Sequence, residues 1–202
     1  MDTGFIIILL TCALYGAIHS LLASNTAKAF AVRQIGQIAT QRYYRLFFVL
    51  VAILTTLAVL ALVPLLPDRA IYRIPVPWLY LTVAIQIIAA IALLIGVQQT
   101  GAMPFFGLKQ IFASAPGSAA PEKLVVNGLY RWVRHPLYTA TLLFLWFAPV
   151  MSWNLLALNI GFSAYLLIGT IFEERKLVEQ FGEEYERYCK KTPRIIPGIR
   201  IT

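Results

Sequence analysis

Asn127-Gly-Leu-Tyr-Arg-Trp-Val-Arg-His-Pro-Leu-Tyr138 gathers polar, aromatic and turn-forming residues immediately ahead of a long apolar run. Asn127-Gly128 is a turn signal. Pro136 suits the first position of a helix, where its missing N–H costs nothing. The stretch therefore predicts a buried helix that begins at His135-Pro136, with Arg131, Arg134 and His135 at its positive end. Free N–H groups and partial positive charge make such a helix start a candidate anion site.

Downstream of this start, the apolar runs Pro136–Met151 and Leu155 to about Phe172 are separated only by Ser152-Trp153-Asn154, which predicts a tight helical hairpin. Upstream lie Phe5–Ala23, Leu46–Leu66 and Trp78–Val97, nearly free of charge. Each is close to the ~20 residues that a helix needs to cross the hydrocarbon core. The run starting at Pro136 is short for a span. The leading segment before Phe5 carries Asp2 and no Lys or Arg, opposite to a secretory signal, so the first run reads as a retained helix.

Composition agrees. The 202 residues are 59% hydrophobic with a mean hydropathy of +0.74, which excludes an ordinary soluble domain. The expected fold is all-α and integral to the membrane: about five transmembrane helices, a hairpin of helices four and five, and a cytoplasmic amphipathic C-terminal helix. The chain reads as one membrane domain over 1–202, with three spans in 1–97 and a second half, 98–202, containing the hairpin and the tail.

With the N-terminus outside, fifteen Lys and Arg fall on the cytoplasmic side and two (Arg69, Arg73) outside, a strong positive-inside asymmetry. The expected setting is a bacterial inner membrane with a cytoplasmic C-terminus. The net charge of +8 is thus a topology and lipid-headgroup signal, and no separate basic domain exists for nucleic acid. Cys12 in the first span and Cys189 in the tail do not suit a disulfide. No Cys/His spacing suggests a zinc site.

Along the chain, His19-Ser20 ends the first span near the interface. Residues Asn25 to Arg45 alternate basic and apolar types, as expected of a helix lying along the headgroups, and Tyr43-Tyr44-Arg45 reads as an interfacial belt. Prolines 64, 67, 75 and 77 bracket a short outer loop. Gln86, polar inside the third span, is better suited to bonding a neighbouring helix than a substrate. The long segment from Gln98 to His135 includes Ser114–Pro121 and is read as a lid or wall of a site.

After the hairpin, Leu177, Phe181, Tyr185 and Tyr188 recur at helical spacing as one apolar stripe, and Glu173 extends it one turn earlier. Glu173 is either paired with Arg131, Arg134 or Lys176 or aimed at a cationic ligand. Two spans return the chain to the same side, so Tyr130, Arg134, His135 and Tyr138 should face Glu173, Glu174, Phe181 and Tyr185. A helix start for a carboxylate, acids for an ammonium or ribose hydroxyls, and aromatic faces for a purine or sulfonium together suit S-adenosylmethionine.

Gly128-Leu-Tyr130, Arg134-His-Pro-Leu-Tyr138, Glu173-Glu174, Phe181-Gly-Glu-Glu-Tyr185 and Pro193 through Pro197 resemble the isoprenylcysteine carboxyl methyltransferase-like membrane methyltransferases, which also include phospholipid N-methyltransferases. The resemblance covers roughly Gly107 to Gly198. His19-Ser20, Arg42-Tyr-Tyr-Arg45 and Gly107-Leu-Lys-Gln110 look more like the bacterial branch with methanethiol S-methyltransferases and NnrU-like proteins. The resemblance implies a helical bundle with the cofactor in a cytoplasmic C-terminal pocket and substrate approaching from the lipid. Its motif positions Gly128, Tyr130, Arg134, His135, Pro136, Tyr138, Glu173, Glu174, Phe181 and Tyr185 are then cofactor-binding, and Glu174 with Arg175 orients the reactants. Ala140 stands where the family often has Gly, which bears on substrate size.

The expected function is S-adenosylmethionine-dependent methyl transfer at the membrane, first to the sulfur of a small or hydrophobic thiol, with a prenylcysteine carboxylate or lipid amine as alternatives. Two readings of other classes compete. His19 and His135 could be axial ligands of a haem, as in NnrU-like relatives, or the chain could be a non-catalytic membrane assembly protein.

Overall fold

The computed structural model describes residues 3–112 and 123–199. In the segment from Gln98 to His135 expected as a lid or wall, the short helices α5 (Ala102–Phe105) and α6 (Leu108–Phe112) precede residues 113–122, which, like Asp2, lie outside the described residues. Helices α1 (Thr3–Ala23), α3 (Gln37–Leu65), α4 (Trp78–Thr100) and α8 (Trp153–Phe181) are each long and apolar enough to cross a membrane. The protein is an all-α integral membrane protein. Its long helices expose large apolar residues such as Leu10, Leu54, Ile88 and Ile168, as expected where lipid tails rather than water form the surroundings.

Two expectations change. The fourth predicted span is the short helix α7 (Pro136–Trp146), 11 residues long. At ~1.5 Å per residue it extends only ~16 Å, about half the hydrocarbon thickness. Pro149 cannot continue the helical hydrogen bonding, and Val150–Ser152 instead forms strand β2, paired antiparallel with β1 (Ala70–Arg73). This small sheet clips the two loops at one end of the bundle together, so four helices rather than five have spanning length among the described residues.

The second change concerns the C-terminal helix. The apolar stripe does not lie on one helix: α8 runs through Glu173 and Glu174 to Phe181, breaks at Gly182 with φ +54°, and restarts as α9 (Glu183–Lys191). Only Tyr185 and Tyr188 of the stripe are buried; Leu177 and Phe181 are half-buried. The region from Asn25 to Arg45 likewise divides, into α2 (Asn25–Ile35) and the first turns of α3, at Gly36 with φ +82°. Ser24 caps α2 by accepting from the Ala27 N–H.

Helix α1 packs along α8 and α3, while α4 packs along α7. Small residues permit close approach: a Cβ on Gly161 would meet Cys12, one on Gly16 would meet Tyr165, and one on Gly96 would meet Leu137. The series Gly4 beside Asn154, Cys12 beside Gly161, Gly16 beside Tyr165 shows that α1 and α8 run parallel. The core groups Ile8, Cys12, Tyr15, Val59, Ala157 and Leu158.

Polar groups inside the bundle bond to the backbone of neighbouring helices. Asn154, fully buried, donates to the carbonyls of Val63 and Leu66 at 3.1 and 3.2 Å, fastening the end of α3 to the start of α8. Asn159 donates to the Leu145 carbonyl at 3.0 Å, satisfying an acceptor in the last turn of α7. Gln86 donates to the Phe144 carbonyl at 2.9 Å, the interhelical bond expected of it. At the opposite end from the sheet, Lys176 Nζ donates to the Ala23 carbonyl at 2.9 Å, which ties the end of α1 to α8.

Candidate functional site

The site assembles at the end of the bundle remote from the sheet. The chain enters it through a 3-10 turn, Gly128–Arg131, anchored by Gln99 Oε1 at the end of α4, which accepts the Leu129 N–H at 3.1 Å. Gly128 has φ +60°, and a Cβ there would collide with the Gln99 side chain, so the turn requires glycine. His135 then caps α7 and Pro136 occupies its first turn, as the sequence predicts.

The C-terminal segment closes over this entry. The N–H groups of Arg134 and His135 donate to the carbonyls of Pro193 and Arg194 at 2.8 and 3.0 Å, and Thr139 Oγ1 donates to the Ile195 carbonyl at 2.7 Å. Arg134 Nη1 reaches the carbonyls of Cys189 and Thr192, and the Tyr188 hydroxyl donates to the Tyr130 carbonyl. The buried side chains of Tyr185 and Tyr188 meet edge to face, their centroids 5.9 Å apart.

At the centre, Glu174 accepts from three cationic or ionisable groups. Arg134 Nε lies 2.8 Å from Oε1, His135 Nε2 lies 3.2 Å from the same oxygen, and Arg194 Nη2 lies 2.7 Å from Oε2. The Arg134 and Glu174 side chains are 8% and 12% exposed, so this is a buried ion cluster. Glu173 differs: its side chain is 47% exposed and its Oε2 stands 3.5 Å from His135 Nδ1. The two adjacent carboxylates thus hold the two nitrogens of one imidazole. Burial opposes the charged ring, but Glu173 and Glu174 outweigh it and hold the His135 pKa above its ordinary value.

The aromatic side chains complete the wall. The Tyr138 ring stacks on His135 with centroids 5.4 Å apart at 17°, and its hydroxyl faces Glu173. Burial, reinforced by Glu173, pushes the Tyr130 phenol up to about 12. Burial, with Glu174 beside it, also holds the Tyr185 phenol well above its ordinary range. These groups stay neutral and serve as donors or packing surfaces.

The structure therefore brings together Gly128, Tyr130, Arg134, His135, Pro136, Tyr138, Glu173, Glu174 and Tyr185. Among the described residues, none of the three ion pairs open for Glu173, with Arg131, Arg134 or Lys176, forms; its partners are His135 and Tyr138. Arg175 does not enter the cluster: it is exposed, and its guanidinium lies 5.8 Å from the Phe172 ring centroid. It lines a shallow depression with Glu174, Val178 and Arg194. Phe181, the last residue of α8, is half-buried. Both nitrogens of His135 face carboxylates, an arrangement for an imidazolium rather than a haem ligand, which needs an unprotonated nitrogen.

Arg194 and Gln99 are site-building residues that the sequence reading did not single out. The position of Arg194 among the closing prolines was the available signal; its pairing with Glu174 depends on the fold-back of the tail.

Known proteins resemble this chain over about half its length. It is 35% identical over 96 residues to methanethiol S-methyltransferase 1 of Bradyrhizobium diazoefficiens, covering 47% of this chain and 34% of that one. With the methanethiol S-methyltransferase of Pseudomonas deceptionensis it shares 38% identity over 96 residues, 47% of this chain and 37% of the relative. The human protein-S-isoprenylcysteine O-methyltransferase is 34% identical over 85 residues, 38% of this chain and 28% of the relative. The match thus spans about a third of the length of these relatives. No solved structure shows a significant match. The family described as "Protein of unknown function (DUF1295)" matches residues 28–192, and the chain belongs to it.

Proposed function

We propose that this protein is an S-adenosylmethionine-dependent membrane methyltransferase whose acceptor is the sulfur of a small or hydrophobic thiol. The observation that carries the reading is the imidazole of His135 held between Glu173 and Glu174. It occurs in a chain similar to proteins named methanethiol S-methyltransferase.

The residues present fit such a cofactor. Glu173 is half-exposed and loosely held, leaving a carboxylate edge for an ammonium group or ribose hydroxyls. The stacked Tyr138 and His135 rings offer an aromatic surface, and a cation against such a face gains ~0.5 to 2 kcal/mol. When bound, S-adenosylmethionine supplies an electrophilic methyl group on its sulfonium.

The chain's part is to bind and orient. Glu174, with both oxygens engaged by Arg134, His135 and Arg194, fixes the tail against α7 and α8 and places Glu173 beside it. Gly128, Tyr130 and Pro136 set the turn, Tyr185 and Phe181 pack the α8–α9 corner, and Arg175 stands at the rim. Positioning of this kind supplies ~7 to 11 kcal/mol of barrier lowering in the best-oriented reactions. The Lys and Arg distribution supports placing this end of the bundle in the cytoplasm of a bacterial inner membrane.

The test is transfer of a labelled methyl group from S-adenosylmethionine to a panel of alkyl thiols, prenylcysteines and lipid amines by the detergent-purified protein. The expected result is labelled thioether. Transfer only to a prenylcysteine carboxylate or a lipid amine would reassign the acceptor, and calorimetric absence of cofactor binding together with no transfer would overturn the reading.

A further inference from the structure

A second imidazole lies beside this site and has no role in it. His19, on the last turns of α1, is half-buried within a ring of aromatic side chains: Phe48 at 4.5 Å, Tyr165 at 5.5 Å and Tyr15 at 5.7 Å between centroids. Among the described residues, its ring nitrogens make no hydrogen bond. The site's own aromatic wall is adjacent to this ring. Tyr165, Gly169 and Glu173 recur at i, i+4 and i+8 on α8 and so share one face, and the Tyr138 hydroxyl would lie 3.7 Å from a Cβ on Gly169.

The parallel pairing of α1 with α8 sets the level of His19. Gly16 abuts Tyr165, and the Ala23 carbonyl is bonded by Lys176. His19 lies between these two points on α1, so it stands at the height of the α8 segment that includes Gly169 and Glu173. An apolar, aromatic cluster around one unbonded imidazole, packed on the α8 face that also bears Glu173, is suited to an apolar acceptor carrying a weakly acidic proton.

We propose that His19 is the acceptor-side base: it receives the S–H proton of a hydrophobic thiol held against Tyr15, Phe48 and Tyr165. The inference rests on the methyltransferase reading above. In the step, the S–H proton passes to a ring nitrogen of His19 and the thiolate sulfur forms the new S–CH3 bond. The donor's C–S bond breaks with its electron pair kept on the donor sulfur, and the imidazolium later returns its proton to water. Among the described residues, the charged and titratable groups facing His19 are Tyr15 on α1, Arg45 on α3 and Tyr165 on α8. The Arg45 guanidinium lies 5.6 Å from the Phe48 ring centroid, where its positive charge favours an anionic sulfur nearby.

Three measurements test this on the full-length protein in detergent. His19→Gln should bind S-adenosylmethionine in calorimetry as the unaltered protein does, yet lose at least a hundredfold in kcat with an alkyl thiol. Activity should return to within about tenfold with an acidic aromatic thiol, which is already a thiolate at neutral pH. In the unaltered protein, a dialkyl sulfide should shield His19 from carbethoxylation by diethyl pyrocarbonate, read by mass spectrometry. Equal losses with the alkyl and the acidic thiol, or no shielding, would overturn the assignment of His19. Loss of cofactor binding by the unaltered protein would instead overturn the methyltransferase reading itself.

Discussion

Arg194, twenty positions beyond Glu174, places both Nε and Nη2 on the same carboxylate oxygen, at 3.1 and 2.7 Å, while Arg134 occupies the other oxygen. One glutamate on α8 therefore ties together the start of α7 and the closing tail. The two arginines differ in burial, 8% against 31% exposed, and that difference ranks their importance.

Glu174→Gln leaves buried Arg134 without its counter-charge and should lower stability by about 3–5 kcal/mol, the usual cost of breaking a buried pair from one side. Arg194→Ala removes a partner that water reaches and should cost about 1 kcal/mol or less. Thermal unfolding of both variants in detergent checks the order, and equal losses would contradict it.

Glu173→Gln should lower the thermal midpoint less than Glu174→Gln, because the Glu173 side chain is half-exposed and contacts His135 and Tyr138 but no arginine. It should weaken S-adenosylmethionine binding at least tenfold, or ~1.4 kcal/mol. Titration calorimetry measures this directly.

His135 makes stability depend on pH in one direction. Its pKa is higher folded than unfolded, with burial opposing and Glu173 and Glu174 causing the rise. The contribution is therefore fully present below the unfolded value of 6.5 and is lost as pH climbs through the elevated folded value. His135→Gln should remove that slope from a plot of thermal midpoint against pH.

Gly128→Ala places a Cβ at φ +60° and against Gln99. Backbone strain of this type costs about 1–3 kcal/mol, and here it also displaces the acceptor of the Leu129 N–H. Both stability and cofactor affinity should fall, whereas Gly182→Ala, strained at φ +54° but with open space around it, should affect stability alone.

The sequence by itself determined the membrane class, the helix starting at Pro136 and the convergence of the Arg134-His135 and Glu173-Glu174 pairs. Charge-free runs of spanning length, a proline at a first helical turn and a return through two apolar segments are local or near-local signals, and each leaves a mark in residue order. Pro149 is a local stop for α7, but only the tertiary structure decided that the chain continues as a strand, because the pairing of Val150–Ser152 with Ala70–Arg73 joins segments some 80 residues apart and has no periodicity of its own. The division of labour between the glutamates was decided in the same way. Two adjacent residues on a helix differ by ~100° in direction, so one turned into the arginine cluster and the other toward the half-open wall, and which did which depended on where Arg194 folded back.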